Sequence, residues 1–180
     1  GVIGGMDIPL IRANVAGYIA GAKYVNPKVQ VKYAYVGDWA DPAKCKEMAN
    51  AMFDEGVDVL WLAAGRSGLG GIKAAEERNR YAIGADSDQG YLAPRNILTN
   101  GMKLVDRTVY IAINDVLRGK FKPGVNMLGL KEGALGYSKS LVPADVMSQV
   151  DKLAAKVVSG DINVPDEIDK VEPWLKAQGK

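Results

Sequence analysis

Apolar and polar positions in the first hundred residues fall into a repeating order: a short apolar run, a turn of small or polar residues, then apolar positions at helical spacing. Val2 and Ile3 make a brief strand that ends at Gly4-Gly5. Pro9 suits the first turn of a helix. Ile11, Val15, Tyr18, Ile19 and Ala22 then recur at helical spacing until Asn26-Pro27. Residues 29–36 alternate, Val29, Val31, Tyr33 and Tyr35 against Gln30 and Lys32, which predicts a strand. Gly37-Asp38-Trp39-Ala40 is its turn. Asp41 and Pro42 provide an N-cap and first helical residue for a helix to about Glu55. Val57 to Ala64 is a buried strand, followed by the turn Gly65-Arg66-Ser67-Gly68-Leu69-Gly70-Gly71 and a helix over 72–79. Tyr81 to Ala85 is uncharged, as a strand buried on both faces should be, and runs into Asp86-Ser87-Asp88-Gln89-Gly90. Ile97 to Thr99 adds a fifth strand.

This order predicts an α/β fold: a parallel, flavodoxin-like sheet with helices on both faces over residues 1–100. Ligands bind outside the carboxyl ends of such strands. Gly4-Gly5, Gly37, Gly65 and Asp86 are therefore expected along one edge, with Asp86 as the polar anchor of a cleft. Residues 101–180 read differently. They hold an amphipathic helix over 102–118, a strand over 125–130, a helix over 143–158 and a loosely docked tail from Val164.

Composition narrows the chemistry. The chain has 180 residues, 48% hydrophobic and 24% charged, as in an ordinary globular domain. Its net charge is +2, without a basic tract, so nothing points to nucleic acid or an anionic membrane. No apolar run reaches the ~18–20 residues of a membrane helix. With no His and one Cys, zinc clusters, intrachain disulfides, Cys–His pairs and Ser–His–Asp triads are excluded. The single thiol fits either redox compartment.

The glycine turn 65–71 matches neither the dinucleotide fingerprint nor the P-loop, and no cofactor is expected. Two readings fit it: backbone N–H groups lining a ligand, or a tight turn that lets a helix pack closely. Asp86-x-Asp88 does not continue as a calcium loop, because Ile97 stands where the closing Glu belongs. Asp88 reads as part of a solvated loop. Trp39, in a strand-to-helix turn, either stacks on a sugar or base or packs beneath its loop. Trp61 reads as core. Lys131, after the apolar run 125–130, is either a solvated strand end or a ligand contact.

Taken together, several of these segments resemble the basic membrane protein group of bacterial and archaeal solute receptors. They are Gly4-Gly5-Met6-Asp7-Ile8-Pro9, Tyr35-Val36-Gly37-Asp38-Trp39 with Asp41-Pro42-Ala43-Lys44, Ala63-Ala64-Gly65, Ile83-Gly84-Ala85-Asp86-Ser87-Asp88-Gln89 and Leu128-Gly129-Leu130-Lys131-Glu132-Gly133. The resemblance spans nearly the whole chain in family order. It implies a periplasmic-binding-protein-like receptor that feeds an ABC transporter and binds a purine nucleoside without catalysis. Ligand contacts implied by it are Trp39, stacking on the base; Asp86, accepting from ribose hydroxyls; Lys131; and the Gly65 backbone. Arg66 departs from the family, which has a small residue there.

The family has two lobes. The expectation is that residues 1–100 are the second lobe and residues 101–180 the return elements that complete or pack on the first. Most of the first lobe, and the lipid-anchored N-terminus that fixes such receptors at the cell surface or in the periplasm, are expected to lie outside this sequence. Expected partners are the nucleoside, an ABC permease and, through uncovered apolar faces, a homodimer or domain-swapped copy. Two other classes fit the residues: a free-standing flavodoxin-like regulatory or scaffold module, and a carboxylate-based nucleoside or sugar hydrolase using Asp86 and Asp88.

Overall fold

The computed structural model describes residues 1–180. Its sheet is built from β1 (Val2–Gly4), β2 (Tyr33–Tyr35), β3 (Val59–Ala63), β4 (Tyr81–Asp86), β5 (Ile97–Lys103) and β6 (Leu135–Tyr137), in the order β2-β1-β3-β4-β5-β6. All neighbours are parallel except β6, which runs antiparallel to β5. The α/β fold with a flavodoxin-like parallel sheet is therefore the observed one.

Helices cover both faces. Successive residues of a strand point to opposite sides, and β1 divides accordingly. Val2 packs with Val15, Ala16, Ile19 and Ala20 of α1 (Pro9–Val25). Ile3 packs on the other face with Cys45, Ala49 and Phe53 of α2 (Pro42–Asp54) and Ile72 and Ala75 of α3 (Gly68–Glu77). Full burial of side chains such as Leu60 and Leu62 contributes about 1.5–3 kcal/mol each. The chain leaves β1 toward β2 on one side and returns toward β3 on the other. That reversal puts a topological switch point between β1 and β3, where such sheets bind ligands.

The helix starts follow the expected chemistry. Asp41 accepts a hydrogen bond from the Lys44 backbone N–H at 3.0 Å, with Pro42 as the first helical residue. The glycine turn is shorter than expected. A 3-10 turn spans Gly65–Ser67, and α3 begins directly at Gly68. Gly70 lies against α2, where an added Cβ would stand 1.8 Å from the Pro42 carbonyl oxygen. Close helix packing thus accounts for this later glycine.

Residues 125–130 do not form a strand. Val125 is 93% exposed and Met127 84%, so the alternation there meets no partner. The strand of this region is β6, seven residues beyond Asn126-Met127-Leu128, and its Leu-Gly-Tyr sequence is short and weakly patterned. The tail is also firmer than expected. Helix α6 (Val171–Ala177) buries Val171 and Leu175 against α1, and Trp174 lies 5.7 Å from the Tyr24 ring. Helix α4 (Val105–Leu117) buries no residue at all, and α5 (Ala144–Ser159) buries only Met147.

Candidate functional site

Four turns and strand ends meet along the carboxyl edge of the sheet. The β1 and β2 ends are tied by Val36 N–H to the Gly4 carbonyl and Gly37 N–H to the Gly5 carbonyl, at 2.9 and 2.8 Å. Gly5 N–H reaches across to the β3 end at the Ala63 carbonyl, 3.0 Å away. Asp86 closes β4 opposite Met102 of β5.

Trp39 rests on this edge. Its ring lies against Gly5, where an added Cβ would stand 2.3 Å from Cε3 and Cζ3, and beside Gly65, where the distance would be 3.3 Å. The ring remains 41% exposed. Both readings of Trp39 therefore meet: it packs on the glycines and leaves indole surface open to solvent. Gly65 itself has φ +56°, a left-handed conformation that favours glycine.

The turn carrying Trp39 is fastened by Ser67, a residue the sequence did not single out. Ser67 is fully buried. Its hydroxyl donates to the Asp38 carbonyl at 2.8 Å and accepts from the Asp41 N–H at 2.9 Å. Its own N–H donates to the Trp39 carbonyl at 3.0 Å. The two turns that flank the switch point thus form one hydrogen-bonded unit. The only sequence signal was a hydroxyl residue inside a glycine turn.

Asp86 has φ +67°, a left-handed backbone that Asp tolerates better than most residues. Its carboxylate pairs with Lys103 at the end of β5, Nζ to Oδ1 2.9 Å, and both side chains are more than half exposed. Neighbouring strands lie about 4.8 Å apart. The β1 end, on which the Trp39 ring rests, and the β4 end, which carries Asp86, are two such spacings apart, about 10 Å. A base and its sugar together span a similar distance.

Asp88 is exposed in its loop, as expected, and its Oδ1 also accepts from Asn100 Nδ2 and from the Gly90 N–H, both at 2.9 Å. Asn100 is fully buried, and its side chain also accepts from the Gln89 N–H and donates to Ser138 Oγ. Gln89 Oε1 in turn accepts from the Ala85 N–H at 3.0 Å. This network fixes the loop that follows Asp86.

Lys131 stands exposed in the turn 130–133, which leads into β6. That turn is closed by Glu132, whose Oε2 accepts from the Gly129 N–H at 2.8 Å, and this bond holds the carboxyl below its usual range. A bond from the Leu104 N–H to the Ala134 carbonyl ties the turn to the end of β5. Lys131 is thus on the carboxyl edge, but it makes no ion pair; the cation beside Asp86 is Lys103. A second carboxylate of the edge, Asp7, is held by Arg12 in a two-pronged pair at 2.5 and 2.9 Å, which lowers its pKa.

Two cavities lie elsewhere. One of about 500 Å³ sits between β2 and α2, lined by Val31, Tyr33, Met48 and Met52. The other, about 360 Å³, is a trough over the sheet face lined by Tyr18, Trp61, Ile83, Thr99 and Tyr137. Trp61 packs, partly buried, against the Val2 core cluster, and it also walls this trough, stacked 5.6 Å from Tyr18. The charged groups of the first, Lys32 and Glu55, are paired with each other, and the trough is lined by no charged residue. It is the edge that the fold reserves for ligands.

Residues 1–167 match the family described as ABC transporter substrate-binding protein, PnrA-like. Over 182 residues the chain is 35% identical to basic membrane protein A1 of Borrelia garinii subsp. bavariensis, covering 98% of this chain and 54% of that protein. It is 37% identical to basic membrane protein D of Borreliella burgdorferi over 179 residues, 95% of this chain and 52% of that one. The crystal structure of an ABC transporter system solute-binding protein from Aeropyrum pernix K1 superposes with a TM-score of 0.78 at 31% identity, over 98% of this chain and 61% of that chain. A transcriptional activator of the comK gene from Bacillus halodurans superposes with a TM-score of 0.80 at 27% identity, over 88% and 55%. The chain spans about half the length of the curated relatives it matches.

Proposed function

This chain belongs to the PnrA-like family of ABC transporter substrate-binding proteins, and from that premise we propose that it binds a purine nucleoside at the carboxyl edge of its sheet, as a receptor that hands solute to an ABC permease. The observation that carries this reading is the pairing of an exposed indole platform with a strand-end carboxylate about two strand spacings away. The base stacks on Trp39, an interaction that contributes about 1–3 kcal/mol. Ribose hydroxyls donate to Asp86, and a hydrogen bond to a charged group contributes about 1.5–3 kcal/mol. Gly65 and Lys131 border the same edge and complete the ligand contacts.

The edge is an open surface, whereas a ligand site buries most of its ligand. Residues 1–100 therefore act as one lobe, and a second lobe closes over the other face of the base. Residues 101–180 serve as the elements that return to that lobe. The support is α4, whose Val109, Ile113 and Val116 are all more than half exposed on a helix with no buried residue. By itself the same face favours association of copies, including exchange of elements between them. A lipid anchor at the cell surface or in the periplasm completes the proposal.

A second reading has its own support: a protein of similar structure, from Bacillus halodurans, is a transcriptional activator. A regulatory module would use the fold without handing ligand to a permease. Calorimetry with adenosine, guanosine and inosine decides between them. Saturable heat with the nucleoside recovered intact supports the receptor. Release of free base would instead indicate a hydrolase, and no heat with any nucleoside would favour the regulatory module.

A further inference from the structure

Strand β2 is the outer strand of the sheet and pairs with β1 on one side only. Val2 N–H donates to the Lys32 carbonyl and Val36 N–H to the Gly4 carbonyl, both at 2.9 Å. The register sets Val2 beside Tyr33 and Gly4 beside Tyr35, so residues 32, 34 and 36 turn their backbone groups toward β1. The N–H and C=O groups of Tyr33 and Tyr35 turn outward, a row of donors and acceptors ready for another strand.

Helix α2 overhangs this open flank. One side of it faces α3, where Lys46 pairs with Glu77 at 2.8 Å. Lys44, Met48, Ala51 and Glu55 recur at helical spacing on the opposite side. Met48, Ala51 and Glu55 line the groove of about 500 Å³ together with Tyr33 and Ala34. The two ends of the flank carry opposite charges. Lys44 Nζ lies beside Gly37, past the carboxyl end of β2, at 3.8 Å from where a Cβ would stand. Glu55 lies at the amino end, where its Oε2 meets Lys32 and its side chain is still 58% exposed.

We propose that this flank is the interface with a second copy of the chain, related by a two-fold axis, with β2 antiparallel to β2 of the second copy. Strand and helix are both self-complementary about such an axis. Centred on Ala34, the register sets Tyr33 opposite Tyr35 of the second copy. Both present outward groups, so each of the two pairs exchanges both of its hydrogen bonds. The same axis sets α2 antiparallel to α2 of the second copy. Met48 then meets Ala51 in the middle, and Lys44 meets Glu55 at both ends, because 44 and 55 lie equally far from the midpoint between 48 and 51. Oε1 of Glu55 is open to that second ammonium. Each copy covers the apolar groove of the other, and an isologous contact of this kind closes on itself. It is separate from the exposed face of α4 and does not depend on which solute the chain binds.

Sedimentation velocity of the full chain is the test, with wild type expected to show a concentration-dependent dimer. Lys44→Glu sets glutamate against glutamate at both ends, and Glu55→Lys sets lysine against lysine. Each should weaken the dimer by about tenfold or more, the scale of two exposed ion pairs turned into repulsions. An equimolar mixture of the two variants should regain the dimer, since a mixed pair restores unlike charges at each end, and native mass spectrometry identifies it as mixed. Tyr33→Pro removes an outward N–H and no bond to β1, so it should lose the dimer and keep its urea midpoint. A wild-type chain that stays monomeric at every concentration would overturn the proposal. A dimer unmoved by Lys44→Glu would place the contact elsewhere, as on α4, and overturn it equally. So would a mixture of the two folded charge variants that forms no mixed dimer.

Discussion

Trp39 lies across Gly5 so closely that a methyl group on Gly5 would stand 2.3 Å from two ring carbons. The absence of a side chain at the β1 end is thus what lets the indole lie down at the switch point. Gly5→Ala is expected to lift the ring. Overpacking of this kind costs about 1–3 kcal/mol, and nucleoside affinity should fall by about tenfold or more as stacking is lost. Urea unfolding and calorimetry on the same variant measure both. Unaltered affinity would show that the ring's position is irrelevant to binding.

Ser67 holds the turn that carries Trp39. Ser67→Ala removes a hydroxyl that serves the Asp38 carbonyl and the Asp41 N–H. Leaving buried groups unpaired costs about 1–3 kcal/mol. The expected outcome is a lower urea midpoint with an unchanged slope. A midpoint equal to wild type would mean that water replaces the hydroxyl without loss.

Asp86 permits a separation of folding from binding. Its φ of +67° strains any residue with a Cβ other than Asn or Asp. Asp86→Ala should therefore destabilise by about 1 kcal/mol, whereas Asp86→Gly should be near neutral, since relief of strain offsets the greater freedom of the unfolded chain. Both should lose nucleoside binding, because both lack the carboxylate. If Asp86→Gly binds like wild type, the residue serves only its turn.

The parallel sheet and the edge it presents were legible because four short apolar runs each end in glycine or a carboxylate, and local pattern decides that. Long-range contacts were not. Ser67 reaches back across the switch point to residues 38–41, and Asn100 gathers Gln89, Asp88 and Ser138 into one buried network. No periodicity announces either. The strand expected over 125–130 failed for a related reason. Alternation at Val125 and Met127 signals a strand only where a neighbouring strand receives it, and the receiving position beside β5 is taken by 135–137. The tail misled in the opposite sense, since its prolines obscured the burial of Val171 and Leu175 on α1.

Cys45 supplies a pH dependence. It is fully buried between α2 and α3, and burial pushes its thiol up to about 11, opposed in part by a bond from the Gly71 backbone. A raised folded pKa means that the stability it contributes is complete below the ordinary thiol range near 9 and is lost as pH rises through about 11. A disulfide reagent at pH 8 should label native protein slowly and urea-unfolded protein at once. Fast labelling of the native protein would place the thiol at the surface.

The most direct test of the binding site uses the chain's three tryptophans, which report three places at once. Trp39 sits on the carboxyl edge, Trp61 on the trough over the sheet face and Trp174 on the docked α6. Fluorotryptophan-labelled protein, titrated with adenosine and inosine, should show one fluorine resonance moving saturably, assigned to Trp39 by its loss in Trp39→Phe. The Trp61 and Trp174 resonances should stay in place. Movement of Trp61 alone would put the ligand in the trough, and movement of none would contradict nucleoside binding at the edge.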